Sequence, residues 1–154
     1  AFGLINLNHR FAVSDAVLVA GAQAFIGLRA ISTAAGIPAD PSTFVNMIGV
    51  GEDTADTNWQ IMHNDGAGTA TRINTGIPIN ITSLLELQLL MEPGTGVAVY
   101  QFSDLSTGAV VSGTINTSLP AADTLLTPNC FRSPAATVAA VGLDLVSLYV
   151  ETST

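Results

Sequence analysis

A chain of 154 residues suffices for one domain with a sizeable core, burying roughly 68–70% of the surface its unfolded form exposes. Its apolar fraction of 48% is ordinary, but only 10% of residues are charged, Lys is absent and the net charge is −8. Phosphate backbones and anionic lipids call for clustered cations, so four scattered residues, Arg10, Arg29, Arg72 and Arg132, argue against nucleic-acid and membrane partners.

The most apolar run, Ala135 to Val150, is interrupted by Asp144 and Ser147, and no signal peptide is recognised at the start. Cys130 has no second cysteine to pair with and reads as a buried thiol. Ser, Thr, Asn and Gly must wet the surface, and these residues suit strands and turns better than helices. Positive mean hydropathy with so little charge points to burial of surface in a homo-oligomer.

Taken in chain order, residues 1–24 read as an N-terminal arm or a first strand at an oligomer interface, and 25–154 as a single sandwich domain. Turn signals then recur: Ile37-Pro38-Ala39-Asp40-Pro41, Gly49-Val50-Gly51, Asn64-Asp65-Gly66, Gly76-Ile77-Pro78, Pro93-Gly94-Thr95-Gly96, Thr107-Gly108 and Leu119-Pro120. The short pieces between them predict an all-β, antiparallel, jelly-roll-like sandwich of about eight to ten strands, with at most one short helix.

Phe44–Glu52 and Asn58–Asn64 flank an acidic turn, and Asp65-Gly66-Ala67-Gly68 leads into Thr69–Asn74, so this region is a meander. Ser83-Leu84-Leu85-Glu86 matches a helix capping box, but Leu85, Leu87 and Leu89 alternate with Glu86 and Gln88, which favours a strand. Val97–Asp104 alternates with both faces partly apolar, as if covered on both sides. Ala121–Leu126 allows a single helical turn. Thr137–Thr152 reads as a long final strand, with Val141, Leu143, Leu145 and Tyr149 on one parity and Asp144, Val146, Leu148 and Val150 on the other.

Rare residues concentrate in Asn58–Gly76, which holds the only Trp and one of two His. On a strand, Trp59, Ile61 and His63 share a face, and this row reads as a core edge with a polar tip. A sugar-stacking Trp59 beside a His63 donor is the functional alternative. His63 and Asp65 could belong to a catalytic triad, but no Gly-x-Ser-x-Gly elbow accompanies them and Asp65-Gly66 has its own turn mechanism.

No zinc pattern occurs. Glu52, Asp53, Asp56 and Asn58 crowd one turn, where calcium is conceivable but the spacing departs from an EF-hand loop, so a solvated acidic turn is favoured. Gly49-x-Gly51 and Gly66-x-Gly68 lack the Lys and the helix of a phosphate loop. Asn80-Ile81-Thr82 and Asn116-Thr117-Ser118 fit the N-glycosylation pattern. No catalytic, cofactor-binding or metal-binding residue is assigned, and no ligand-binding set is defined. Trp59, Tyr100 and Tyr149 are the large aromatics with polar handles, and packing is favoured for each.

The order of the pieces Gly49-Val50-Gly51-Glu52-Asp53, Asn58 to Thr69, Arg72-Ile73-Asn74-Thr75-Gly76, Val99-Tyr100-Gln101-Phe102, Leu119 to Pro128 and Gly142 to Thr152 resembles the β-sandwich domain of tailed-bacteriophage virion proteins, such as tail fibres, appendages and decoration proteins. The resemblance spans about Phe25 to Thr152. It implies a jelly-roll-like, homotrimeric virion component without catalytic residues or cofactor. Its partners would be its own copies, other virion proteins and a glycan on the host surface. The alternatives are a carbohydrate-binding module of the same fold and a surface-glycan hydrolase.

Overall fold

Ten strands form among residues 4–30, 40–92 and 95–152, the parts of the chain that the computed structural model describes. In chain order they are β1 (Ile5–Val13), β2 (Gln23–Arg29), β3 (Met47–Glu52), β4 (Asn58–Asn64), β5 (Thr71–Pro78), β6 (Leu84–Met91), β7 (Ala98–Asp104), β8 (Ala109–Ile115), β9 (Thr127–Ser133) and β10 (Leu143–Thr152). A single 3-10 turn, Pro41–Thr43, precedes β3.

The strands make two five-stranded antiparallel sheets, β10-β1-β6-β7-β8 (sheet A) and β5-β4-β3-β2-β9 (sheet B). The chain is therefore an all-β sandwich, as its patterning indicates. The turn signals at Ile37-Pro38-Ala39 and Pro93-Gly94 lie outside the described residues.

Alternation places the core between the sheets. Leu7, Phe11 and Val13 of β1 and Leu85, Leu87 and Leu89 of β6 point inward, against Ala24, Ile26 and Leu28 of β2 and Ile48 and Val50 of β3. Each fully buried side chain of this size contributes about 1.5–3 kcal/mol. Phe11, Trp59 and Phe102 form the aromatic centre, with Phe11–Trp59 centroids 5.5 Å apart in an edge-on contact. The Ser83–Glu86 segment begins a strand because alternate Leu residues reach this core, outweighing helix propensity. Ala121–Leu126 holds only a hydrogen-bonded turn, Thr124 N to Ala121 O at 2.9 Å.

Three expectations change in detail. β1, drawn from the stretch expected as an arm or an interface strand, is paired on both sides within sheet A, to β10 and to β6. β7 is covered on one face only: Ala98, Tyr100 and Phe102 are buried, while Val99 on the other face is exposed. The final strand begins at Leu143 and does not keep one parity throughout. Arg10 pairs Ser147 and Phe11 pairs Leu145, so Val146 is the extra residue of a β-bulge. The bulge puts Leu143, Leu145, Leu148 and Val150 on one face, opposite the inward residues of β1, and Asp144, Ser147, Tyr149 and Glu151 on the other.

The three central strands of sheet B are buried on both faces. In β2, β3 and β4 every residue is buried except the half-buried Arg29 and Asn58. Its outer face carries Phe25, Met47, Met62 and Phe131, roofed by Phe44 from the crossover that enters β3. Asp40 fastens this crossover by accepting from Gln23 Nε2 and Thr54 N, both at 2.8 Å. Asp53 Oδ1 accepts from Ser42 N at 3.0 Å, and Asn64 Nδ2 donates to Phe44 O at 2.7 Å. The Arg29 guanidinium lies 3.6 Å above the Phe44 ring.

Candidate functional site

The residues singled out in Glu52–Asn58 serve internal structure. Glu52 and Asp53 are buried rather than solvated. Asp56 accepts from Asp53 N at 2.8 Å and pairs with Arg72, which also reaches Asp53 at 3.2 Å. Glu52 faces inward at the end of β3, where Arg132 crosses over Ala24 to reach it.

Arg132 also binds Asp15 at 2.7 Å, and Asp15 accepts from Gly142 N at 2.9 Å. All three charged side chains are almost fully buried. Burial pushes the Glu52 carboxyl up to about 7 although Arg132 opposes the shift. For Asp15, burial is outweighed by hydrogen bonds from Arg132 and Gly142, and its carboxyl lies below the usual value. Among the described residues no group of His, Cys, Asp and Glu is placed to hold a metal ion.

Trp59 is fully buried, and His63 is buried at the same core edge with Nδ1 3.2 Å from Ser118 O. The row read from the sequence as a core edge thus has its polar tip at His63, but Trp59 lies in the aromatic centre rather than at an edge. Asp65 is exposed and uses Oδ1 to accept from Ala67 N, away from any triad geometry. Asn80 Oδ1 accepts from Thr82 N and Ser83 N, shaping its own loop. Tyr100 is buried over Gly113, but Tyr149 is exposed, contrary to the packing favoured for it. The bulge at Val146 turns its ring to the outer face.

That outer face of sheet A gathers polar residues from five separate segments. Cross-strand pairing aligns Tyr149, Asn8, Gln88, Gln101 and Ser112 in one row across all five strands. Four interstrand spacings make the row roughly 19 Å long. A flanking row runs Ser147, Arg10, Glu86, Ser103 and Val110.

Glu86 is the organiser of the face. It pairs with Arg10 and accepts from Gln88 Nε2 at 2.6 Å. Burial alone would raise its pKa, but hydrogen bonds from Arg10, Gln88 and Asn8 outweigh that and hold it low. The three central amides, Asn8, Gln88 and Gln101, are half-buried in the row and flanked by the exposed Tyr149 and Ser112. Each amide offers a donor and an acceptor on one side chain, and Tyr149 offers an apolar ring with a polar tip.

Sequence reading missed this row because its members are neighbours only through pairing. Alternation of Asn6, Asn8 and Arg10 with Leu7, His9 and Phe11 was the signal available for β1.

No family model matches this sequence, and no curated protein matches it. Solved structures do share the fold. Lectin II from Ulex europaeus is 14% identical with a TM-score of 0.62, over 99% of this chain and 74% of that one. Peanut lectin, solved with a nine-residue peptide, is 13% identical with a TM-score of 0.59, over 99% and 73%. An alginate lyase from Pseudomonas aeruginosa is 10% identical with a TM-score of 0.54, over 98% of this chain and 65% of the lyase, a little under two thirds of its length. At these identities the likeness establishes the fold alone, a jelly-roll-like β-sandwich. Among the described residues no helix is long and apolar enough to cross a membrane, which says nothing of β-barrels.

Proposed function

We propose that this chain is a non-enzymatic glycan-binding sandwich whose saccharide surface is the outer face of sheet A. The observation that carries the reading is the row Tyr149–Asn8–Gln88–Gln101–Ser112. Sugar hydroxyls both donate and accept, and adjacent amides answer both needs along an extended chain of rings. Tyr149 supplies a flat apolar surface at one end. Sandwich folds shared with two lectins and a polysaccharide lyase support the same class of ligand.

A binding role fits this face better than catalysis. Its buried carboxylate, Glu86, is neutralised by Arg10 and held ionised, so it is not poised as a general acid. The electrostatics also select the ligand. Arg10 is engaged by Glu86, Asp144 and Glu151 lie on the β10 margin of the face, and the net charge is −8. Anionic polysaccharides are therefore disfavoured, and neutral oligosaccharides are the proposed class.

The test is calorimetric titration with a panel of neutral and uronate-containing oligosaccharides. Neutral ligands are expected to bind, with Gln88→Ala and Tyr149→Ala each weakening affinity about tenfold, or ~1.4 kcal/mol, at unchanged thermal midpoint. Binding of neutral ligands unaffected by both substitutions, or no binding at all, overturns the proposal.

A second reading is the bacteriophage virion component suggested by the order of the sequence pieces, located in the particle and meeting a host glycan. The exposed apolar edge of β10 favours an assembling protein of this kind. Immunogold labelling of an intact particle tests it.

A further inference from the structure

A sheet edge offers unpaired N–H and C=O groups, and folded proteins normally protect such edges. Three of the four edges here are protected or have their apolar face covered. β5 is irregular around Gly76, at φ +70°, where its pairing with β4 shifts register, and ends at Pro78. β9 carries Pro128. β8 sends Val111 and Ile115 into the core.

β10 differs. It is the longest strand, ten residues, and contains no Pro; its charges, Asp144 and Glu151, stand near its ends and its one irregularity is the bulge at Val146. Its inward-facing Leu145, Leu148 and Val150 remain 53%, 47% and 38% exposed. These side chains stand on the core side of sheet A, beside the buried Phe11, His9 and Leu7, yet nothing from sheet B covers them.

We infer that this edge and its open apolar flank are covered by β10 of a second copy, paired antiparallel about a two-fold axis at Ser147. The strand's own pattern selects the copy and the register. With Val146 bulged out, pairing Ser147 with Ser147 of the second copy sets Leu148 against Leu145 and Val150 against Leu143, inward side on inward side. It sets Asp144 against Tyr149, whose hydroxyl donates to Glu151 of its own strand at 3.0 Å, so no carboxylate faces another directly. A two-fold axis at Leu148 would instead set Asp144 against Glu151 twice, a like-charge contact that destabilises a strand pair. One at Tyr149 would leave Leu143 unpaired.

The chosen register needs no cation, which matters because Arg10, Arg72 and Arg132 are all held by carboxylates of their own chain and Arg29 lies on Phe44. The two sheets A would merge into one of ten strands, with the flanking rows through Ser147 end to end and the two Tyr149 rows staggered on either side of the axis. The assembly is thus two-fold rather than the trimer that the sequence resemblance implies. It does not rest on the glycan reading, since it uses only the free edge and inward flank of β10.

Two measurements decide it. Sedimentation at rising concentration is expected to give twice the 15.8 kDa chain mass, and Leu148→Lys is expected to give a folded monomer. In a Cys130→Ala background, Ser147→Cys is expected to form a disulfide-linked dimer on mild oxidation, whereas Thr114→Cys on β8 is expected to stay monomeric. A wild-type monomer at all concentrations overturns the inference. So does a dimer that survives Leu148→Lys, a dimer whose Ser147→Cys form fails to cross-link, or a β10 edge filled only by a different polypeptide.

Discussion

The outer faces of the two sheets have opposite fates. On sheet B, Phe25, Met47, Met62 and Phe131 lie under Phe44, and the crossover that carries Phe44 is held by Asp40, Asp53 and Asn64. On sheet A the corresponding face is a polar lattice with no roof, ordered by Glu86. The contrast teaches that burial on both sides commits sheet B to stability, and that chemistry is left to the face the chain does not cover.

Breaking the roofed face has the largest expected effect. A Cβ at Gly27 would sit 2.4 Å from Ile48 O and 2.5 Å from the Gly49 Cα, both backbone atoms that cannot move aside cheaply. Gly27→Val is expected to cost more than about 3 kcal/mol, enough to threaten a marginally stable fold. Loss of soluble yield, or a drop in thermal midpoint too large to follow, checks this. The same volume added on the open face, at Ser112, is expected to change stability by less than about 0.5 kcal/mol.

Arg132→Ala comes next. It strands Asp15 and Glu52 as uncompensated buried carboxylates and is expected to cost about 3–5 kcal/mol by chemical denaturation. Arg132→Met with Asp15→Asn and Glu52→Gln should recover most of that loss, since the cost lies in unpaired charge.

Two buried groups give opposing pH slopes. Glu52 has its folded pKa raised from 4.5 to about 7, so it favours the fold at low pH; that contribution is complete below 4.5 and is lost as pH rises through 7. It is worth up to about 3 kcal/mol. His9 is buried with neither ring nitrogen hydrogen-bonded, and burial lowers its pKa below 6.5. Its neutral form favours the fold above 6.5, and stability is lost as pH falls below that value. In wild type the two contributions therefore oppose each other as the pH falls from 6.5 toward 4.5. Glu52→Gln should lose stability on acidification, and His9→Leu should gain it. Denaturation midpoints across this range read both signs, and parallel slopes in the two variants would refute the assignment.

Much of the architecture was legible because alternation is local. Leu85, Leu87 and Leu89 identify β6, and Asn58–Asn64 gives the bounds of β4 from turn residues alone. The orientation of Tyr149 was not legible, since it depends on a bulge fixed by where Arg10 and Phe11 meet Ser147 and Leu145, 137 and 134 residues away. Nor was the buried Arg132–Asp15–Glu52 triad, whose members come from three distant segments and meet over the small Ala24. The polar row failed to show for the same reason: period-two alternation tells which residues of a strand face outward, but not which strand lies beside it.

The smallest expected effect gives the sharpest comparison between the two arginine–carboxylate arrangements. Arg10 pairs Glu86 with its own side chain 48% exposed but the carboxylate only 6%, so this pair lies between a screened surface pair and the buried one at Arg132. Arg10→Ala is therefore expected to cost about 1–2 kcal/mol of stability, against the several expected for Arg132→Ala, because Glu86 keeps Gln88 as a partner and water can approach from the open face. Its effect on ligand affinity should be larger than its effect on the fold. Without Arg10, burial pushes the Glu86 carboxyl up and Asn8 and Gln88 are left as its partners, taking two amides out of the row that would meet a saccharide. A stability loss well below that of Arg132→Ala, together with a larger loss in binding of neutral oligosaccharides, would show that the outer face of sheet A is organised for recognition rather than for stability. Equal losses in both would place it with sheet B as structure alone.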